Sequence, residues 1–169
     1  MKTNTLRCLR TLVAIALVGA NPVSTWAGNA RFLYANGSIN SSTAALDVSF
    51  KEVGLGNTYI TYILTAGQTT ITYQCFTRSD NKPQGEPNSI STSNDSQYFD
   101  IKPRNGQITA TVSLVPQPGD AGCQGAGLKL CIVAASYQSV TFTDDTYKVP
   151  ATLVPNNFSA TFTKPVCIL

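Results

Sequence analysis

The sequence predicts an all-β protein, an antiparallel β-sandwich of about eight or nine strands. Apolar and polar residues alternate along several segments, and no helical periodicity persists after residue 27. The run Leu128–Ala135 has the length and the Ile and Val content of a strand buried on both faces. We expect this run to be the central strand. The number of strands alone does not distinguish an immunoglobulin-like sandwich from a closed barrel.

Three segments alternate with a period of two residues, which is typical of strands with one buried and one solvent-exposed face. In each segment, Ser, Thr, Asp, Gln or Lys separates the apolar positions. The inward-facing positions are Leu46, Val48 and Phe50; Ile108, Ala110, Val112 and Leu114; and Phe158, Ala160 and Phe162. These segments predict three amphipathic strands in antiparallel sheets.

Turn-forming residues predict two hairpins and one long loop. The first hairpin has Ala66-Gly67-Gln68 as its turn, and the second has Asp144-Asp145. Pro150 confines its strand in the second hairpin to an edge or a bulge. The strand pairs are 58–65 with 69–77 and 139–143 with 146–153. Residues 78–97 are rich in Asp, Asn, Ser, Pro and Gly, which predicts an exposed loop with a short strand at 89–93.

Residues 1–27 have the pattern of a secretory signal peptide. Basic residues precede the apolar run 12–20, and Thr25-Trp26-Ala27 predicts cleavage before Gly28. Asn21-Pro22 ends the apolar run well short of the roughly 20 residues that span a bilayer. We therefore expect no membrane insertion, and a single secreted domain over residues 28–169.

The charge that remains after residue 27 argues against two classes of partner. The chain has 12 basic and 9 acidic residues, of which three basic and no acidic ones lie in the leader. The predicted mature chain is therefore neutral, without the basic patch of a nucleic-acid-binding protein or of a membrane-surface protein. The whole chain has no histidine, which excludes Ser-His-Asp and Cys-His catalysis. No motif indicates a cofactor.

Four cysteines follow the leader, namely Cys75, Cys123, Cys131 and Cys167. An even number in an exported chain predicts two disulfides with three possible connectivities. A zinc site would need C-x-x-C spacing or histidines, and this chain has neither. We favour Cys75–Cys123, whose long loop is worth about 4 kcal/mol, and Cys131–Cys167, which fastens the C-terminal tail.

Five segments resemble, in order and spacing, a group of small exported β proteins of bacteria and fungi. They are Leu46–Gly56, Thr72–Phe76, Asn105–Gln107, Ala135–Tyr137 and Val140–Thr146. The resemblance implies a β fold and an exported location, and the group has no established activity. Its members carry cysteines like Cys75 and Cys123. Cys131 and Cys167 are then additions in this chain, which agrees with their pairing with each other.

These observations favour a secreted, non-enzymatic module that binds an extracellular protein or glycan, or forms surface structure. We expect its contacts on the loops 78–97 and 116–127. The alternatives are a secreted effector or antimicrobial protein, and a hydrolase with paired carboxylates in a cleft. The acids considered for that pair are Asp80, Glu86, Asp95, Asp100, Asp120, Asp144 and Asp145. A calcium site at Asp144-Asp145 would need further ligands, such as Asp100 or Asp120.

Four sequons are candidate glycosylation acceptors, provided that the host glycosylates exported proteins. They are Asn36, Asn40, Asn94 and Asn157.

Overall fold

The computed structural model describes residues 29–117, 122–123, 125 and 127–167. Over these residues the chain forms eight strands and no helix. They are β1 (Arg31–Ile39), β2 (Leu46–Val53), β3 (Ile60–Thr77), β4 (Pro83–Ile101), β5 (Gln107–Leu114), β6 (Leu128–Asp144), β7 (Val149–Pro150) and β8 (Phe158–Cys167). The predicted signal peptide, residues 1–27, lies outside the described residues.

Two antiparallel sheets pack against each other, so the predicted fold class is confirmed. One sheet has the order β1-β2-β5. The other has five strands in the order β4-β3-β6, with β7 and β8 both paired to β6. Aromatic rings fill one end of the core between the sheets. Phe50 lies 4.8 Å from both Tyr62 and Phe142, measured between ring centroids, and Phe32 packs beside them.

The amphipathic strands follow the predicted alternation. Leu46, Val48 and Phe50 of β2 are buried, and the apolar side chains of β5 and β8 are buried or half-buried. The run Leu128–Ala135 is the first half of β6, which lies inside the five-stranded sheet between β3 and β8. The predicted central strand is therefore confirmed, and it continues for nine residues beyond the run, to Asp144. It is not buried on both faces, because only Cys131, Ile132 and Ala135 of the run are buried and the other five residues are half-buried.

The prediction of a hairpin turn at Ala66-Gly67-Gln68 is wrong, because β3 passes through these residues without reversing. Gly67 lies in register between Asn94 of β4 and Ser139 of β6, and both of these residues have a positive φ of 52°. The three strands therefore bend at neighbouring positions, which form one row across the sheet. We call this row the shared bend (Gly67, Asn94 and Ser139). A Cβ on Gly67 would lie 3.1 Å from Ser139 Cβ, so glycine here permits a close approach of strands.

The shared bend also reverses which side chains point inward. Along β3, Ile60, Tyr62, Leu64 and Ala66 are buried before the bend, whereas Thr69, Ile71 and Tyr73 are buried after it. Neighbouring strands keep their pairing on both sides of this row, so the sheet is continuous.

The prediction of a long loop at 78–97 is also wrong, because residues 83–97 belong to the 19-residue strand β4. Its polar composition reflects its place at a sheet edge, where most of its side chains are exposed. The main-chain pairing with β3 outweighs the low strand propensity of Asn, Asp and Gly, as tertiary context commonly does.

The second hairpin is confirmed in a shorter form, but its turn is residues 145–148 and not Asp144-Asp145, because Asp144 still belongs to β6. Thr143 pairs with Pro150 and Asp144 with Val149, so Pro150 lies in a two-residue strand at the sheet edge. Both disulfides form in the favoured pairing. Cys75–Cys123 joins β3 to the segment before β6, with 5.6 Å between Cα atoms, and Cys131–Cys167 joins β6 to β8.

Candidate functional site

Two acidic side chains lie buried between the sheets. Glu52 of β2 and Asp144, the last residue of β6, are both 0% exposed to solvent. Glu52 is inward because it continues the alternation of Leu46, Val48 and Phe50 by one more step. One acid therefore comes from each sheet, beside the aromatic cluster.

Each carboxyl group has one oxygen that accepts hydrogen bonds. The hydroxyl of Tyr62 donates to Glu52 Oε2 at 2.7 Å. The main-chain N–H groups of Thr146 and Tyr147 donate to Asp144 Oδ1, at 2.7 and 3.0 Å. The other two oxygens, Glu52 Oε1 and Asp144 Oδ2, are buried without a donor. Protonation of one carboxyl group supplies a donor toward the other, and this avoids two adjacent buried negative charges.

The electrostatics place this proton on Glu52. The pKa of Glu52 is raised to about 7, chiefly by burial and in addition by the neighbouring Asp144, against the opposing hydrogen bond from Tyr62. Burial also raises the pKa of Asp144, but the N–H groups of Tyr147 and Thr146 oppose this shift by stabilising its carboxylate. Burial likewise raises the pKa of Tyr62, which remains a hydrogen-bond donor.

Four surface clefts of the described residues lie away from this acidic pair. These clefts, of about 540, 440, 400 and 250 Å³, have no acidic residue in their lining. Asp80 pairs with Lys82 at 3.0 Å, and Asp100 accepts a hydrogen bond from Thr61 at 2.6 Å. No group of three potential metal ligands occurs among the described residues, and Asp120 lies outside them. The acids named from the sequence are therefore not assembled into a described cleft or a metal site.

The outer side of the five-stranded sheet carries a regular array of hydroxyl groups. Two rows cross four strands, and their members are Ser or Thr at seven of eight positions, with Ala134 as the eighth. We call this array the hydroxyl face. From β4 to β8 the rows are Ser91, Thr70, Ser136 and Ser159, and Ser89, Thr72, Ala134 and Thr161. The array is uncharged.

Hydrogen bonds between strands order part of this array. Thr70 and Ser91 join their hydroxyl groups at 2.9 Å, and Thr72 and Ser89 do so at the same distance. Because a hydroxyl group has one donor and two acceptor sites, each pair keeps free capacity toward solvent or a ligand. Beyond the shared bend, Tyr98 extends the same side of the sheet and is 66% exposed.

The structure places the predicted contact loops and the sequons as follows. Ser89 and Ser91, in the segment expected to be a loop, belong to a strand, while the second loop, 116–127, is described only in part. Asn36, Asn94 and Asn157 are exposed. Asn40 is half-buried, and its side chain bonds Asp47 at 3.0 Å and the N–H of Ser42 at 2.9 Å.

The sequence contained signals for both features that the prediction missed. Glu52 is two residues after Phe50, so the alternation pattern already placed it on the buried face. Ser and Thr recur at every second position in Thr70-Ile71-Thr72, Ser89-Ile90-Ser91 and Ser159-Ala160-Thr161. Only the register between the strands shows that these three segments share one face.

Comparison with family models, with curated proteins and with solved structures finds no match to this chain. Among the described residues there is no helix with the length and hydropathy needed to cross a membrane.

Proposed function

We propose that this protein is a secreted, non-enzymatic β-sandwich that binds a neutral glycan on its hydroxyl face. The observation that carries the proposal is the array of seven Ser and Thr hydroxyl groups across four strands, and four of these hydroxyl groups are hydrogen-bonded in pairs. Hydroxyl groups both donate and accept, and sugar hydroxyls do the same, so the two surfaces are complementary in hydrogen bonding. A site on strands also holds its side chains in fixed relative positions.

Charge and aromatic content support the same class of ligand. The two rows carry no charge, so nothing in them favours an ionic ligand over a neutral one. Tyr98, on the same side of the sheet, offers an exposed ring on which an apolar sugar face can stack.

The proposed secreted location rests on two observations. Residues 1–27 have the signal-peptide pattern, and the chain contains two disulfides, which persist mainly in oxidising compartments.

The hydrolase alternative is less well supported by the geometry. Glycoside hydrolysis requires two carboxyl groups that flank the substrate bond, about 5–10 Å apart. Glu52 and Asp144 are an acidic pair, but both side chains are enclosed in the core. A substrate would reach them only if the two sheets separated.

A glycan array and calorimetric titration of the mature protein test the proposal. We expect binding of a neutral oligosaccharide that weakens about thirtyfold in Thr70→Val with Thr72→Val, because two lost hydrogen bonds of about 1 kcal/mol each amount to about 2 kcal/mol. Thr111→Val is the matched control, since Thr111 forms a similar hydroxyl pair with Ser49, at 2.8 Å, on the other sheet.

Three results would contradict the glycan proposal. They are the absence of binding to any neutral glycan, an equal loss of affinity in the Thr111 control, and capture of an extracellular protein without glycan binding. A growth-inhibition assay with the same material tests the effector alternative.

A further inference from the structure

Residues 88–101 of strand β4, which follow its prolines Pro83 and Pro87, form a long sheet edge without the lysine or proline that usually protects against pairing. Strand β4 hydrogen-bonds to β3 on one side, and no other strand of the described residues pairs with its other side. An edge of this kind exposes a row of main-chain N–H and C=O groups to any strand that fits it. Proteins commonly block such edges with lysine or proline, yet residues 88–101 contain neither.

The opposite edge of the same sheet is protected. Strand β7 is two residues long and ends in Pro150. Strand β8 carries Lys164 and Pro165 near its end. The contrast between the two edges identifies β4 as the one available for pairing.

The shared bend restricts which strand can pair with β4. Ser89 and Ser91 lie on the outer side before the bend, where they face Thr72 and Thr70 of β3. After the bend, Ser96 and Tyr98 lie on that side, so the outward positions change from odd to even numbers. A regular strand keeps one alternation throughout and cannot match both halves of β4.

We propose that β4 pairs antiparallel with β4 of a second copy of this chain, about a two-fold axis between Ser93 and Asn94. In this register an odd-numbered position before the bend always faces an even-numbered position after it, and both of these positions point to the outer side of the sheet. Ser91 lies opposite Ser96 of the second copy, and Ser89 opposite its Tyr98, all on the outer side. On the inner side, Ile90 lies opposite Gln97. The change in alternation at Asn94 is thus what makes β4 complementary to itself.

Charges and hydrogen bonds are compatible with this pairing. Asp95 lies opposite Thr92, so no two acids face each other where residues 88–99 of the two copies pair. The opposed Ser91 and Ser96 repeat the hydroxyl pairs that β4 already forms with β3, at 2.9 Å. The dimer joins two five-stranded sheets and places their outer sides next to each other. This inference does not depend on the identity of the ligand.

Analytical ultracentrifugation of the mature protein tests the pairing. We expect a monomer–dimer equilibrium in the wild type. Ser91→Lys with Ser96→Lys places lysines opposite each other twice, and we expect it to raise the dimer dissociation constant at least about tenfold. Ser91→Lys with Ser96→Asp places opposite charges at the same two positions, and we expect a value within about threefold of the wild type.

Ser159→Lys with Thr161→Lys is the matched control, because both residues are exposed on β8 at the opposite edge. Circular dichroism checks that each variant is folded. The pairing is overturned if the wild type remains monomeric at its highest soluble concentration. It is also overturned if both variants of Ser91 and Ser96 dissociate equally, or if the β8 control weakens the dimer as much.

Discussion

Raising the pH should destabilise this protein over a range in which most exposed carboxyl groups are already ionised. Glu52 is buried with its proton between the sheets, and its pKa rises from the ordinary 4.5 to about 7 on folding. The folded protein therefore holds a proton that the unfolded chain has lost. The stabilising contribution of protonated Glu52 is fully present below pH 4.5 and is lost as the pH rises through about 7.

The magnitude is large relative to the stability of a typical domain. A pKa change of one corresponds to about 1.4 kcal/mol, so the change at Glu52 is worth about 3 kcal/mol. Typical free energies of unfolding are about 5–15 kcal/mol. The raised pKa of Asp144 acts in the same direction, because this carboxyl group also resists ionisation when buried.

Urea denaturation with intact disulfides, at several values between about pH 5 and pH 8, measures this effect. The wild type should lose about 3 kcal/mol across the range. Glu52→Gln should lose much less, because the amide is neutral at every pH, can donate toward Asp144 Oδ2 and can accept from Tyr62. Glu86→Gln is the matched control, since this carboxyl group is exposed on β4 and should leave the slope unchanged.

Two outcomes would refute the reasoning. One is a wild-type stability that does not change across this range. The other is a Glu52→Gln variant with the same pH slope as the wild type, which would assign the effect to other groups.

Three further substitutions have defined effects, each measurable by urea or thermal denaturation. Tyr62→Phe removes the donor to Glu52 and should cost about 1–3 kcal/mol, with Tyr98→Phe as an exposed control; equal effects would contradict this role. Cys131→Ser with Cys167→Ser should cost about 4 kcal/mol, and an unchanged midpoint would show that this cross-link adds no stability. Gly67→Val should cost about 1–3 kcal/mol by crowding Ser139, and a neutral result would show that the strands can separate there.

The sequence predicted those parts of the fold in which a local pattern decides the structure. The alternation in β2 and β5 and the apolar run of β6 each reflect burial of one strand, so they can be read without a partner. The errors arose where pairing with a neighbouring strand decides the structure. Gly67 resembles a turn residue in isolation, but in the sheet it lies between Asn94 and Ser139 and permits a bend.

Other strands and the candidate sites also depend on contacts that are distant in the sequence. Pairing with β3 makes a strand of the polar segment 83–101, although its composition indicates a loop. Strand β1 was not predicted, and its burial does not alternate regularly. The Glu52–Asp144 contact joins residues that are 92 positions apart, and nothing local to either one indicates the other. The hydroxyl face likewise depends on the register of four strands.

The sandwich is held together differently at its two ends, with consequences for where it opens. On one side of the shared bend, residues 60–66 and 140–144 contain Tyr62, which donates to Glu52, and Asp144, the second buried acid. On the other side, residues 69–77 and 128–137 contain Cys75 and Cys131, whose disulfides do not titrate.

Ionisation of Glu52 should therefore loosen the acidic end while the disulfide end, with most of the hydroxyl face, stays ordered. Hydrogen exchange, corrected for intrinsic rates, should show faster opening at Tyr62 and Phe142 above about pH 7 and little change at Thr70 and Ser136. Equal acceleration of exchange at both ends would show that the two ends open as one unit. Acceleration that persists in Glu52→Gln would show that another group controls the opening.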